Sequence, residues 1–279
     1  MTTIAVLGMG LLGRGFAENM LTLGHTVRVW NRTASRCAPL VAQGAAQADS
    51  PADAVRGADR VHLILKADDA VDSVIAQLRP GLGDGTAVLD HSTNLPARVA
   101  SRTSALRAEG VRYLHAPVFM GPRNSQDGTG MMLLSAPKAE HEALLPYLST
   151  LTGTVRWCGE QPDKAASIKI IGNSVLLMLT ATMGDAFALG QATGVSPEEI
   201  IGLFEAFSPS PAGMGRRVLS SGDGPVGFEA TMARKDAGLM IDSAGAERLH
   251  LLPAVAAVLD AGIAAGRGQE DFTALFRPE

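Results

Sequence analysis

The sequence predicts an α/β amino-terminal domain built on a doubly wound parallel sheet, followed by an all-α carboxy-terminal domain. Three observations carry this. Short β-branched runs alternate with segments of helical period, the pattern of a parallel sheet covered by helices. A glycine-rich turn, GMGLLG at 8–13, joins the first such run to the first helical segment. From about residue 163 the strand patterns stop, so the two domains are placed at 1–162 and 163–279.

The elements follow in order. TIAVL (3–7) is a strand, GFAENMLTLG (15–24) a helix, TVRVW (26–30) a strand, and SRCAPLVAQG (35–44) a helix closed by Gly44. Further strands are RVHLIL (60–65), TAVLD (86–90), VRYLHAP (111–117) and GMMLLSA (130–136). Between them lie helices at 67–78, 95–110 and 138–151. The second domain opens with a long apolar helix at 163–192. VSPEEIIGLFEAF (195–207) starts with a capping box, Ser196 to Glu199, and Pro197 at the first helical position. SPSPAGMG (208–215) reads as a loop, and 228–247 and 252–266 as helices.

Composition excludes several classes. The chain has 279 residues, 46% hydrophobic and 19% charged, enough to bury a sizeable core. A net charge of −4 without a basic block argues against nucleic acid as a partner. Cys37 and Cys158 match no metal spacing and are expected as reduced thiols of a cytoplasmic protein. MTTIAVLG has no basic n-region and reads as a strand rather than a signal peptide. The apolar stretch 163–185 is interrupted by Ser167, Lys169, Gly172, Asn173, Ser174, Thr180 and Thr182, and lacks an aromatic belt or basic flank. It is read as a helix of a soluble protein, not a membrane span.

The turn of Gly8, Met9, Gly10, Leu11, Leu12 and Gly13 has the spacing of a dinucleotide site. Its glycines serve a tight turn, close approach of a pyrophosphate and close packing of helix on strand. The helix start then offers amides and a positive dipole to the phosphates. An NAD site usually has a carboxylate at the end of the second strand. Here stand Asn31, Arg32 and Thr33, then Arg36, which suit a 2′-phosphate and predict NADP. Leu65, which closes the 60–65 run, and Lys66 just after it are expected beside the same cofactor.

Between Lys164 and Asp185 the long helix carries one charge, Lys169, with Asn173 four residues on and so on the same face. A lone helical lysine is commonly a snorkelling side chain. A partly desolvated one can also give or take a proton. An α/β cofactor domain followed by a helical one leaves a cleft, which Lys169 would face.

These residues resemble the β-hydroxyacid dehydrogenases, the group with 3-hydroxyisobutyrate dehydrogenases, tartronate semialdehyde reductases and NADPH-dependent glyoxylate and succinic semialdehyde reductases. GMGLLGRGFAENML (8–21), DHSTNLP (90–96), APVFMGPRNSQDGTG (116–130), KIIGN (169–173), RKDAGLMIDSA (234–244) and GQEDFTALF (268–276) carry the resemblance in order. It implies a Rossmann-type NADP domain, a small carbonyl or hydroxy acid substrate, and a homo-oligomer. It implies Lys169 as catalytic acid/base with Asn173 holding it and the substrate, Ser92 and Thr93 by the nicotinamide and the substrate, and Lys235 closing over the cofactor. It leaves Asp236 as a structural partner or a helix-surface residue.

The departures are specific. Where such enzymes read APVSGG to bind the substrate carboxylate, this chain has Phe119 and Met120 before Gly121. His115 stands where many members have Asp, and Asp163, Lys164 and Ala165 replace a glycine-rich lead into the lysine helix. The glyoxylate and succinic semialdehyde reductase branch, which this chain resembles most, and the related imine reductases also carry a bulky residue there, but the imine reductases usually lack the lysine. A non-catalytic cofactor-binding module would lack it too. His25, His62, His91, His141 and His250 are read as surface or strand-end residues.

Overall fold

The computed structural model describes residues 2–222, 224–247 and 249–277. The chain divides into two compact units, Met1–Lys169 and Ile170–Glu279.

In the first unit the strands are β1 (Thr3–Leu7), β2 (Thr26–Trp30), β3 (Ala46–Gln47), β4 (Arg60–Leu63), β5 (Ala87–Asp90) and β6 (Tyr113–His115). They form one parallel sheet in the order β3-β2-β1-β4-β5-β6. The helices between them are α1 (Leu11–Thr22), α2 (Ala38–Val41), α3 (Pro51–Val55), α4 (Asp68–Leu78) and α5 (Pro96–Ala108). Both faces of the sheet are covered, which explains why Ile4 to Leu7 are apolar without alternation. Ile4 and Val6 enter the core under Phe16 and Met20, while Ala5 and Leu7 enter the opposite one with Leu63 and Val71. Each fully buried side chain of this size stabilises the unit by about 1.5–3 kcal/mol.

A second sheet was not foreseen. β7 (Val118–Phe119) pairs antiparallel with β8 (Met131–Leu134), which pairs parallel with β9 (Thr154–Trp157). Pro117 has no N–H for the main ladder, and its carbonyl accepts from Leu133 instead. β9 is mostly exposed, so it carries little apolar alternation to read. α6 (Pro122–Asp127) and α7 (Lys138–Leu148) complete the unit.

His62 and His91 are buried, not superficial. The His91 Nδ1–H donates to the Ala116 carbonyl at 2.7 Å, since a carbonyl can only accept. His91 Nε2 therefore accepts from His62 Nδ1 at 2.8 Å, and His62 Nε2 accepts from the Tyr147 hydroxyl at 2.8 Å. Arg60 lies over the Tyr147 ring at 4.2 Å. With both imidazoles neutral, all three links are satisfied.

The second unit is helical. α8 (Lys164–Thr193) enters it from the first, followed by α9 (Pro197–Phe207), α10 (Pro209–Leu219), α11 (Ala230–Ala244) and α12 (Leu252–Ala264). The capping box forms: Glu199 N–H donates to Ser196 Oγ, and Glu199 accepts from the Ser196 N–H. The segment 208–215, read as a loop, is helical instead. Pro209 and Pro211 fall in the first turn of α10, where amides have no helical partner and proline costs nothing. Ala212, Met214, Gly215 and Val218 are its buried face.

α8 is long and apolar enough, by length and composition, to cross a membrane, and 39% of its most apolar window is buried within the chain. Leu177, Met183 and Phe187 face the cores of its unit, whereas Ile171, Val175 and Leu189 are exposed.

The histidine pair sets a pH dependence. Burial, then its neighbours His91, Arg60 and His25, pushes His62 well below the ordinary imidazole range. Burial lowers His91 to about 4. Above pH 6.5 both rings are neutral in folded and unfolded chains alike. Between about 6.5 and about 4 the unfolded chain takes up protons that the folded one does not. Stability is then lost by up to about 1.4 kcal/mol per pH unit for each histidine. The melting temperature is expected to fall between about pH 7.5 and pH 5, and His62→Phe to flatten that fall. An unchanged slope in the variant would clear the buried pair of responsibility.

Candidate active site

The glycine turn is built by contact. Gly8 has φ +107°, and a Cβ there would lie 2.1 Å from the Ile64 carbonyl oxygen. A Cβ on Gly13 would lie 1.8 Å from the Gly8 carbonyl oxygen, so α1 rests directly on the end of β1. Gly10 differs: its φ is −77°, and nothing lies within 4 Å of a Cβ built on it. It is the N-cap of α1, which has no side-chain cap and no acid in its first turn. The amides of Leu11, Leu12 and Gly13 and the positive helix end thus face an open approach. These residues fit a pyrophosphate.

Asn31 is occupied locally. Its Oδ1 accepts from the Met9 N–H at 3.0 Å and its Nδ2 donates to the Thr33 carbonyl at 2.9 Å. It fixes the turn against the end of β2, while Arg32, Thr33 and Arg36 are exposed just beyond.

Strand order reverses between β1 and β4, the place where open α/β sheets bind ligands beyond the strand C-termini. Leu65 and Ser92 follow β4 and β5 there, and the Leu65 N–H donates to Ser92 Oγ at 3.0 Å. Lys66 is exposed beside them, and Thr93 is partly exposed.

Beneath Ser92 sits a residue the sequence reading passed over. Asp90 is fully buried and accepts from the Ser92 N–H (2.9 Å), Asn94 Nδ2 (2.8 Å) and the Tyr113 hydroxyl (2.6 Å). His115 Nδ1 stands 3.7 Å from it. Burial would raise this carboxyl; His115, Tyr113 and Ser92 outweigh that and hold it at about 2. Asp90 stays anionic and pins the Ser92–Thr93 turn. Arg102 reinforces the network from α5, pairing with Asp68 (2.7 Å) and Asp72 (2.5 Å) of α4.

The Phe119 ring takes up Lys169. The ammonium lies 4.1 Å from the ring centroid, and the residue is only 9% exposed. The head of Lys169 is therefore not snorkelling into water. The negative ring face stabilises a cation by about 0.5–2 kcal/mol, offsetting part of its desolvation. Met120 packs on the neighbouring core, and the Gly121 N–H is taken by Asn124 Oδ1 at 2.9 Å. The segment 119–121 thus presents an aromatic face and a thioether where a hydroxyl donor was the family expectation. At the start of α8, the Ala165 N–H donates to Ser135 Oγ at 2.9 Å.

In the second unit Asn173 is 5% exposed, and its Nδ2 donates to Asp236 Oδ2 at 2.8 Å. Lys235 Nζ lies 2.5 Å from Asp236 Oδ1. Of the two readings for Asp236, structural partner or surface residue, the buried carboxylate is the former.

Two family profiles match. One, described as the NAD binding domain of 6-phosphogluconate dehydrogenase, covers residues 3–159. The other, described as NAD-binding of NADP-dependent 3-hydroxyisobutyrate dehydrogenase, covers residues 164–278. The chain is 28% identical to 2-(hydroxymethyl)glutarate dehydrogenase of Eubacterium barkeri, over 98% of this chain and 93% of that protein. It is 29% identical to 3-sulfolactaldehyde reductase of Escherichia coli, over 99% and 95%. Its fold matches 3-hydroxyisobutyrate dehydrogenase of Mycobacterium tuberculosis, with a TM-score of 0.85 at 24% identity over 99% and 98% of the two chains.

The open space at Gly10 gives a sharp test. Gly10→Ala is expected to leave the melting temperature unchanged and to weaken dinucleotide binding about tenfold or more by calorimetry, a change of about 1.4 kcal/mol. Undiminished affinity would move the pyrophosphate away from this turn.

Proposed function

Because the chain belongs to the β-hydroxyacid dehydrogenase family and is a nicotinamide-dependent oxidoreductase, we propose that it is an NADP-dependent reductase of a small aldehyde or keto acid, or the reverse dehydrogenase, with Lys169 as general acid/base. The observation that carries this reading is the Lys169 ammonium, buried and held on the Phe119 ring. A bound nicotinamide would supply or take the hydride. Reduction builds negative charge on the carbonyl oxygen, and Lys169 Nζ stabilises that charge and gives up a proton to it. In the reverse direction the neutral amine takes the hydroxyl proton. Ser92 and Thr93, on the turn pinned by Asp90, orient the substrate, and Lys235 holds the cofactor. Arg32 and Arg36, exposed past β2 with no carboxylate at the strand end, support NADP over NAD.

A second reading, imine reduction, draws on Phe119 and Met120. With the Gly121 N–H already bonded, this segment has lost donors for a substrate carboxylate. The retained lysine favours the carbonyl reading, and Lys169 with Asn173 both buried weighs against a non-catalytic module.

NADPH consumption should be measured against glyoxylate, succinic semialdehyde, methylmalonate semialdehyde and a cyclic imine. Turnover of a carbonyl compound is expected; turnover of the imine alone would reverse the ranking. Lys169→Ala is expected to cut turnover by about 10²–10⁴-fold with NADPH still bound, and full activity would remove it from the mechanism. Arg32→Ala is expected to raise the KM for NADPH much more than for NADH. Equal effects on both would show that this arginine does not read the 2′-phosphate.

A further inference from the structure

Asp236 sits on the buried face of α11 among Ala230, Ala233, Ala237 and Met240, all apolar. Nothing in that packing calls for a charge, and burying a carboxylate is costly unless it is paired. Its two oxygens are divided: Oδ2 takes the Asn173 carboxamide at 2.8 Å, and Oδ1 takes the Lys235 ammonium at 2.5 Å. A carboxylate only accepts, so the end of Asn173 that meets it has to be the nitrogen. That fixes an amide orientation which is otherwise ambiguous. One N–H is spent on Asp236, and the acceptor Oδ1 forms the opposite end of the amide. Lys169 precedes Asn173 by one turn on the same helix face.

We propose that Asp236 is a positioning residue. It locks the Asn173 carboxamide so that its oxygen, an acceptor for an ammonium or a substrate hydroxyl, is the end presented to the chemistry. This rests on the reading of Lys169 and Asn173 given above.

The test is a double-mutant cycle on turnover in the full-length protein. Asp236→Ala is expected to lower kcat about 10- to 100-fold, the scale of a misplaced active-site group. Asp236→Asn keeps an acceptor for Asn173 and is expected to retain more of kcat. In an Asn173→Ala background, Asp236→Ala is expected to add no further loss of kcat. Additive losses, or equal losses in the Asn and Ala variants, would overturn the proposal by showing that Asp236 does not act through Asn173. A readout independent of turnover is the Asn173 side-chain amide signal in ¹⁵N–¹H spectra, assigned with Asn173→Ala. Asp236→Ala is expected to shift it. An unmoved signal overturns the proposal even if Lys169 proves catalytic, and a shifted signal in a protein inactive on every carbonyl tested faults the functional reading alone.

Discussion

The contact of Gly13 with the Gly8 carbonyl governs how α1 leaves β1, and the amino-terminal unit is arranged around it. A side chain at Gly13 would force the helix to retreat from the strand, and one at Gly8 would collide with Ile64 beyond β4. Because the helix does not retreat, the amides of the first turn stand directly over the strand end, where the helix dipole is strongest. Gly8 in turn rests on Ile64, so the ends of β1 and β4 are held together at the reversal of strand order. Asn31 ties the end of β2 to the same turn through Met9. A cofactor cradle follows from backbone packing, before any side chain is aimed at a ligand.

A second theme is the buried acid that orients a neighbour. Asp90 and Asp236 are both nearly inaccessible, and each accepts from a site element: the Ser92 amide in one case, the Asn173 carboxamide in the other. Neither has the exposure expected of a group that meets substrate. Each converts a flexible polar group into one with a single orientation, which is what a reaction sensitive to small displacements requires. Phe119 plays the matching part for a cation, giving Lys169 an apolar wall that tolerates its charge.

What was legible in the sequence was local. TIAVL and TAVLD read as strands because both faces of the sheet are buried, and Gly8, Gly10 and Gly13 read as a phosphate turn because each constraint acts within a few residues. The capping box at Ser196 is equally local. The misses have physical reasons of two kinds. β9 is too exposed to show alternation, and the two prolines of α10 read as a loop although the first helical turn accepts them. The other kind is distance along the chain. His62 meets His91 across 29 residues and Tyr147 across 85, and Asn173 meets Asp236 across 63. No periodicity records such pairings. The Asp of DHST did offer a signal: an acid closing an apolar strand just before Ser and Thr.

One unbroken helix carries both Lys169 and Asn173. Their mutual placement is therefore a matter of screw geometry. Four residues amount to about 6 Å of rise and about 40° of net rotation. Inserting or deleting one residue among Ile170, Ile171 and Gly172 would swing the carboxamide by about 100° around the axis. Substitution can explore chemistry in this stretch, but a change of length cannot, so the spacing of lysine and asparagine is tied to the helical repeat itself.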